Sequence, residues 1–167
     1  MVGGIVMAAD HDRTMDRRPV FQAARLKTPD AALAVMVQLS LRAPAFAEQR
    51  FGTWARVLIG QVNRGHYVIL LQDSQPVGFG GWFPARRRDA EAWLQREVDI
   101  PVAAESEADC AVINGFMAPS PEATRFLRDA MLDHGRKLGT LYGKRVLKDG
   151  SRRLVRVANT RRDTGML

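Results

Sequence analysis

Cysteine is nearly absent from this chain: Cys110 stands alone among 167 residues, which excludes an intramolecular disulfide and any zinc site built from several cysteines. A reducing, cytoplasmic setting is expected of such a sequence. Long hydrophobic runs are missing too. The apolar N-terminal stretch breaks at Asp10 before a signal-peptide core or a membrane span can form, so no transmembrane segment is expected. Histidine is scarce, with three residues, and nothing in the sequence suggests a metal site. Acidic residues are outnumbered, 18 against 25 Lys and Arg, for a formal charge of +7. That balance points to an acidic partner: nucleic acid, an anionic membrane surface or an acidic carrier protein. Nucleic acid is disfavoured, because no helix-turn-helix, RNA-recognition strand motif or aromatic stacking platform is interleaved with the charge. There is no internal repeat, low-complexity tract or linker.

What is present is enough for one core. With 46% apolar and 26% charged residues, a single domain is expected over residues 28–159, between a mobile arm (1–27) and a fraying tail (160–167). Thr28-Pro29-Asp30 starts a helix running to about Arg42, with Leu33, Met36, Val37, Leu39 and Leu41 on its apolar face. After Pro44 a second helical pattern carries Phe46, Phe51, Trp54, Leu58 and Val62 to a stop at Gly65. Tyr67–Gln72 and Val77–Phe83 read as a hairpin turning at Asp73-Ser74-Gln75. Its second strand holds Gly78, Gly80 and Gly81, whose bareness signals close approach of a backbone or ligand, or else a bulge. Ala90, Trp93, Leu94 and Val98 mark a short amphipathic helix. Ala111–Met117 is the third strand, Pro121–His134 the strongest helix, and Asp149-Gly150 the turn of a hairpin over Lys144–Ala158. The fold class is therefore α/β, a mainly antiparallel central sheet flanked by helices.

The run YVILLQDSQPVGFGGWF, the helix around Ala92-Trp93-Leu94, and the strand ending in Met117-Ala118-Pro119 with its following helix resemble the toxin-activating lysine acyltransferases that fatty-acylate RTX toxins. The ordered match runs from about Leu41 to Asn159. The resemblance implies a GNAT-like fold, an acyl-acyl carrier protein as donor substrate, no bound cofactor, and a protein substrate presenting a lysine. An acidic carrier agrees with the chain's positive charge. The oligomeric state, the target and the acyl chain stay open.

In that family a histidine and an aspartate are expected to serve as base and orienting carboxylate. Counting from Tyr67 places the histidine position on Phe46. Counting from Ala118-Pro119 places the aspartate position on Gly115, or on Asn114 if the strand carries a bulge. Neither side chain of the pair is present, which leaves two readings: a divergent lysine acyltransferase, or a catalytically silent relative that binds a protein or an acyl group. His66, at the entry of the first hairpin strand, and Asn114 are the candidate catalytic residues, with Gly80, Gly81 and Trp82 as a cleft. An ordinary surface role competes for His66, and His134 reads as a helix C-terminal residue favoured by the dipole. Cys110 reads as a small buried hydrophobe. Coenzyme A is disfavoured, since Ala118-Pro119-Ser120-Pro121 has two prolines that cannot donate to a pyrophosphate. Arg86, Arg87, Arg88, Lys144 and Arg145 are candidates for carrier docking, against the plainer reading of a solvated face.

Overall fold

The structure, a computed structural model, describes residues 19–96, 99–146, 149 and 151–160. Its first element corrects the sequence expectation of an arm through residue 27. Phe21–Ala24 (β1) pairs antiparallel with the strand Tyr67–Gln72 (β2), and Phe21 packs on the core. Four residues with two half-buried side chains carry too weak an alternation to be read locally, and only the waiting edge of β2 makes them a strand. The remainder of the arm, 1–18, and the tail from 161 lie outside the described residues.

Pro29–Leu41 (α1) begins where Thr28 Oγ1 accepts the amide of Ala31 and proline occupies the first turn. The second helical pattern divides, a further correction: Pro44–Ala47 (α2) is one short turn, and Phe51–Arg64 (α3) follows it. Gly65 ends α3 in the left-handed conformation (φ 67°), which glycine adopts without a Cβ penalty. Gln75–Ala85 (β3) returns from β2 through a two-residue turn at Asp73-Ser74. Arg87–Gln95 (α4) and the strand Cys110–Met117 (β4) come next. Pro121–His134 (α5) is capped by Ser120 Oγ, 3.1 Å from the Ala123 amide. Thr140–Val146 (β5) and Arg152–Ala158 (β6) close the chain as a hairpin longer than its expected Lys144 start.

Among the described residues the strands form one sheet in the order β1-β2-β3-β4-β5-β6. Every neighbouring pair is antiparallel except β4 and β5, which α5 connects as a parallel crossover. Alternation along β2 sorts the core. Tyr67 and Ile69 pack with Met36, Leu58 and Phe79 beneath α1 and α3, while Val68 and Leu70 pack with Leu127 and Met131 of α5 on the opposite face. Burial on both faces explains why Val68 to Leu71 is an unbroken apolar run. A third cluster, with Phe83, Val112 and Tyr142, lies under Ala90 and Leu94 of α4.

Candidate functional site

The positions where the resemblance expects histidine and aspartate converge in space. Phe46 of α2 stacks on Trp54 of α3, with ring centroids 4.7 Å apart and planes 7° apart, and lies 6.0 Å from the ring of Phe79. Gly115 of β4 faces the same two rings: a Cβ built there would stand 3.0 Å from Phe79 Cε2 and 3.5 Å from Trp54 Cη2. Trp54 is fixed in turn, its Nε1 donating to Ser40 Oγ at 3.0 Å. The site that would hold a base and a carboxylate is thus an aromatic cluster.

Its polar part is an amide pair. Gln61 is fully buried, and its Nε2 donates to Asn114 Oδ1 at 2.5 Å. Asn114 is the extra residue of a bulge, because β3 and β4 pair Gly81 with Gly115 and then Trp82 with Ile113. The bulge turns Asn114 onto the α3 face beside Gly115. Gln61 also explains Gly81, where any Cβ would overlap the glutamine side chain, and Gly80 is pressed by Met131 from the other face in the same way. These two glycines therefore admit helix side chains, and of the expected Gly80-Gly81-Trp82 cleft Trp82 lines an open cavity. Gln61 Oε1 is buried without a hydrogen-bond partner.

Beside this cluster the sheet opens. Parallel pairing of β4 with β5 covers Ala111, Val112 and Ile113 against Leu141, Tyr142 and Gly143 and then ends, while β4 continues to Met117 and β5 to Val146. Past the bulge at Asn114, β4 has no strand partner on its β5 side among the described residues. Such a strand edge can accept an extended amide-bearing chain.

His66 stands apart from Asn114. Its ring lies 6.0 Å from that of Trp82, on the α5 face, and Trp82 in turn lies 6.5 Å from His134, both pairs inclined at 24°. The two candidate catalytic residues thus occupy opposite faces of the sheet. His66 opens onto a cleft of about 410 Å³ lined by Arg25, Arg64, Trp82, Glu105, His134 and Lys137, among others. Its Nε2 is 3.6 Å from Glu105 Oε1, and its Nδ1 is buried without a partner. Burial lowers the His66 pKa below its ordinary value, Arg64 and Arg25 lower it further, and the hydrogen bond to Glu105 opposes them. Burial, with Arg25, lowers that of His134.

The basic candidates split into two surroundings. Arg86 meets Glu107 at 2.6 Å, Arg88 meets Asp89 at 3.2 Å, and the Arg87 amide donates to Asp109 Oδ1 at 2.8 Å, so Asp109 covers the start of α4. Lys144 lies with Nζ 4.2 Å above the Trp93 ring, and Arg145 is exposed on β5. Cys110 is buried, donates to the Ala85 carbonyl at 3.2 Å and has its pKa pushed up to about 12 by desolvation and Asp109, so it is an inert core thiol.

Sequence reasoning missed Gln61, Phe79 and the cleft arginines. Gln61 carried a signal: it follows Trp54 and Leu58 at helical spacing, a polar residue on an apolar stripe. Arg25, Arg64 and Glu105 carried none, since their segments meet only in the folded sheet.

No family model matches the chain, and no curated protein matches it. Among solved structures it is similar to the crystal structure of the loading GNATL domain of CurA from Lyngbya majuscula. The TM-score is 0.53 at 10% identity, covering 78% of this chain and 67% of that one. The fold is GNAT-like.

Proposed function

We propose that this GNAT-like chain binds an acyl group presented by an acyl carrier protein, within a protein-lysine acylation system, and that it does so without supplying a catalytic base. Acyl transfer in general is the activity such a fold suggests, and the finer reading rests on one observation. Phe46 and Gly115, the positions of the expected histidine and aspartate, meet at the same rings of Trp54 and Phe79. A lysine side chain has an ordinary pKa of about 10.4 and must lose a proton before it attacks a thioester. The polar side chains at Gly115 are the amides of Gln61 and Asn114, which take up no proton at neutral pH. The half-buried rings of Phe46 and Trp54 suit a hydrocarbon chain, whose burial contributes about 0.8 kcal/mol per methylene. The open edge of β4 suits the amide-bearing arm on which a carrier holds its acyl group.

The test is to mix the full chain with acyl carrier protein, empty or loaded with chains of several lengths, and with a lysine-bearing protein. Loaded carrier should bind more tightly than empty carrier, Trp54→Ala should remove that preference, and intact-mass analysis should show little or no lysine acylation. Loss of a positioned base typically lowers such a rate by roughly 10²–10⁴-fold. Lys144→Glu with Arg145→Glu should weaken carrier binding and flatten its salt dependence. Unchanged binding would remove electrostatic docking at the hairpin. Robust transfer by the unmodified chain, abolished by His66→Ala, would overturn the binding reading and make His66 a relocated base.

A further inference from the structure

The cleft at His66 lies on the sheet face opposite the aromatic cluster, and nothing in the acyl reading uses it. It is formed by residues from five parts of the chain: Arg25 after β1, Arg64 and His66 around the end of α3, Trp82 in β3, Glu105 before β4, and 133–138 at the end of α5. Its cationic lining is Arg25, Arg64, Arg136 and Lys137, and its carboxylates are Glu105 and Asp133. Asp133 is already engaged by Arg136 at 3.6 Å, and Glu105, with its side chain 76% exposed, reaches His66 from the rim. Arg25 is held in place by donation from its Nε to the Tyr67 carbonyl at 3.3 Å.

A helix C-terminus would ordinarily repel an anion with its unpaired carbonyls. Here that repulsion is reduced, because buried Asn159 donates from Nδ2 to the carbonyls of Leu132 and Gly135, at 3.1 and 2.9 Å. Two imidazoles lie near the Trp82 ring, and His134 adds an N–H donor. Several guanidinium groups around one cavity match a group with more than one negative oxygen better than a single carboxylate. A cavity of about 410 Å³ also exceeds the size of a bare ion.

We infer that this cleft binds the phosphoryl group of a small phosphorylated molecule, with Arg25 and Arg64 as its principal cationic contacts, His134 as a donor beside them, and His66 close enough to sense the bound charge. The inference is independent of the acyl reading. Burial lowers both histidines and nearby arginines add to it; a bound dianion opposes that lowering, so binding draws protons onto them. The charged groups facing His66 and His134 are Arg25, Arg64, Arg136, Lys137, Glu105 and Asp133.

The experiment titrates the full chain with inorganic pyrophosphate, inorganic phosphate and citrate, following the imidazole resonances of His66 and His134 across pH. Pyrophosphate should bind saturably and raise both histidine pKa values, with citrate weaker. Arg64→Gln, at an exposed position that tolerates change, and Arg25→Gln should each lower pyrophosphate affinity about tenfold, the loss of one charged hydrogen bond. Arg128→Gln, on the outer part of α5, should leave it unchanged. Absence of saturable pyrophosphate binding would overturn the site, as would full affinity in the Arg25 and Arg64 variants. Citrate binding as tight as pyrophosphate would overturn the phosphoryl assignment.

Discussion

Gly81 and Gln61 are a matched pair, and each makes sense only beside the other. A glutamine is fully buried on the apolar face of α3 because β3 offers it a residue with no side chain. Its Nε2 is satisfied by Asn114, which the bulge in β4 brings onto that face. Adding a methyl group at Gly81 forces the glutamine out of its place, at a cost of about 1–3 kcal/mol. In a Gln61→Ala background the same Gly81→Ala change should cost less than about 0.5 kcal/mol, because the space has been vacated. Urea unfolding of the two single variants and the double variant measures the coupling. Additive effects would mean that Gly81 is glycine for some other reason.

At the scale of elements, the β2–β3 hairpin carries a local conflict. Its two-residue turn places Asp73 at φ 49° and Ser74 at φ 67°, the left-handed pair that such a tight hairpin demands and that Asn-Gly or Asp-Gly usually fills. The surrounding ladder, from Leu70–Gly78 to Gln72–Gln75, holds the turn closed. Ser74→Gly should relieve the backbone and stabilise the protein by about 0.5–1 kcal/mol, after the entropy of the freer unfolded chain is counted. A melting temperature raised by about 1–4 °C in thermal circular dichroism is the expected reading. A neutral or lowered value would show that serine pays no penalty there. The helices are better matched to their ends: Ser120 and Thr28 cap α5 and α1 with the side-chain bonds that their Ser-Pro and Thr-Pro starts announce.

For the whole molecule, the cleft histidines link stability to pH. Both His66 and His134 have pKa values lowered from 6.5 by burial and by nearby arginines. The folded state therefore takes up protons less readily than the unfolded chain. The stability this contributes is fully present above about pH 6.5 and is lost as pH falls through the lowered folded values. Urea midpoints should decline from about pH 7.5 to pH 5, before most carboxylates titrate. Replacing both histidines by asparagine should flatten that decline. An equally steep slope in the double variant would assign the pH dependence to other groups. The excess of positive charge is likewise a property of the whole surface. Arg86 and Arg88 sit against carboxylates of their own neighbourhood, and Lys144 sits on Trp93, so net charge alone does not define a docking face.

The sequence by itself determined what depends on local spacing. Helix starts at Thr28-Pro29 and Ser120-Pro121, the glycine stop of α3 and the buried run of β2 all follow from contacts within a few residues and stand where the pattern placed them. The turn expected at Asp73-Ser74-Gln75 is tighter by one residue, with Gln75 of β3 already paired to Gln72. The bulge that shifts Asn114 beside Gly115 entered only as an alternative, when the aspartate position of the resembling family was counted back from Ala118-Pro119. Tertiary structure alone decided the rest. Phe21–Ala24 became a strand because β2 offered an unpaired edge, and the second helical pattern broke into α2 and α3, with Phe46 of α2 placed on Trp54 and Phe79. The cleft at His66 unites charges from residue 25 to residue 137. Electrostatic fields and packing act through space, and no spacing along a chain records which distant side chains the closed sheet will bring within a few ångströms of one another.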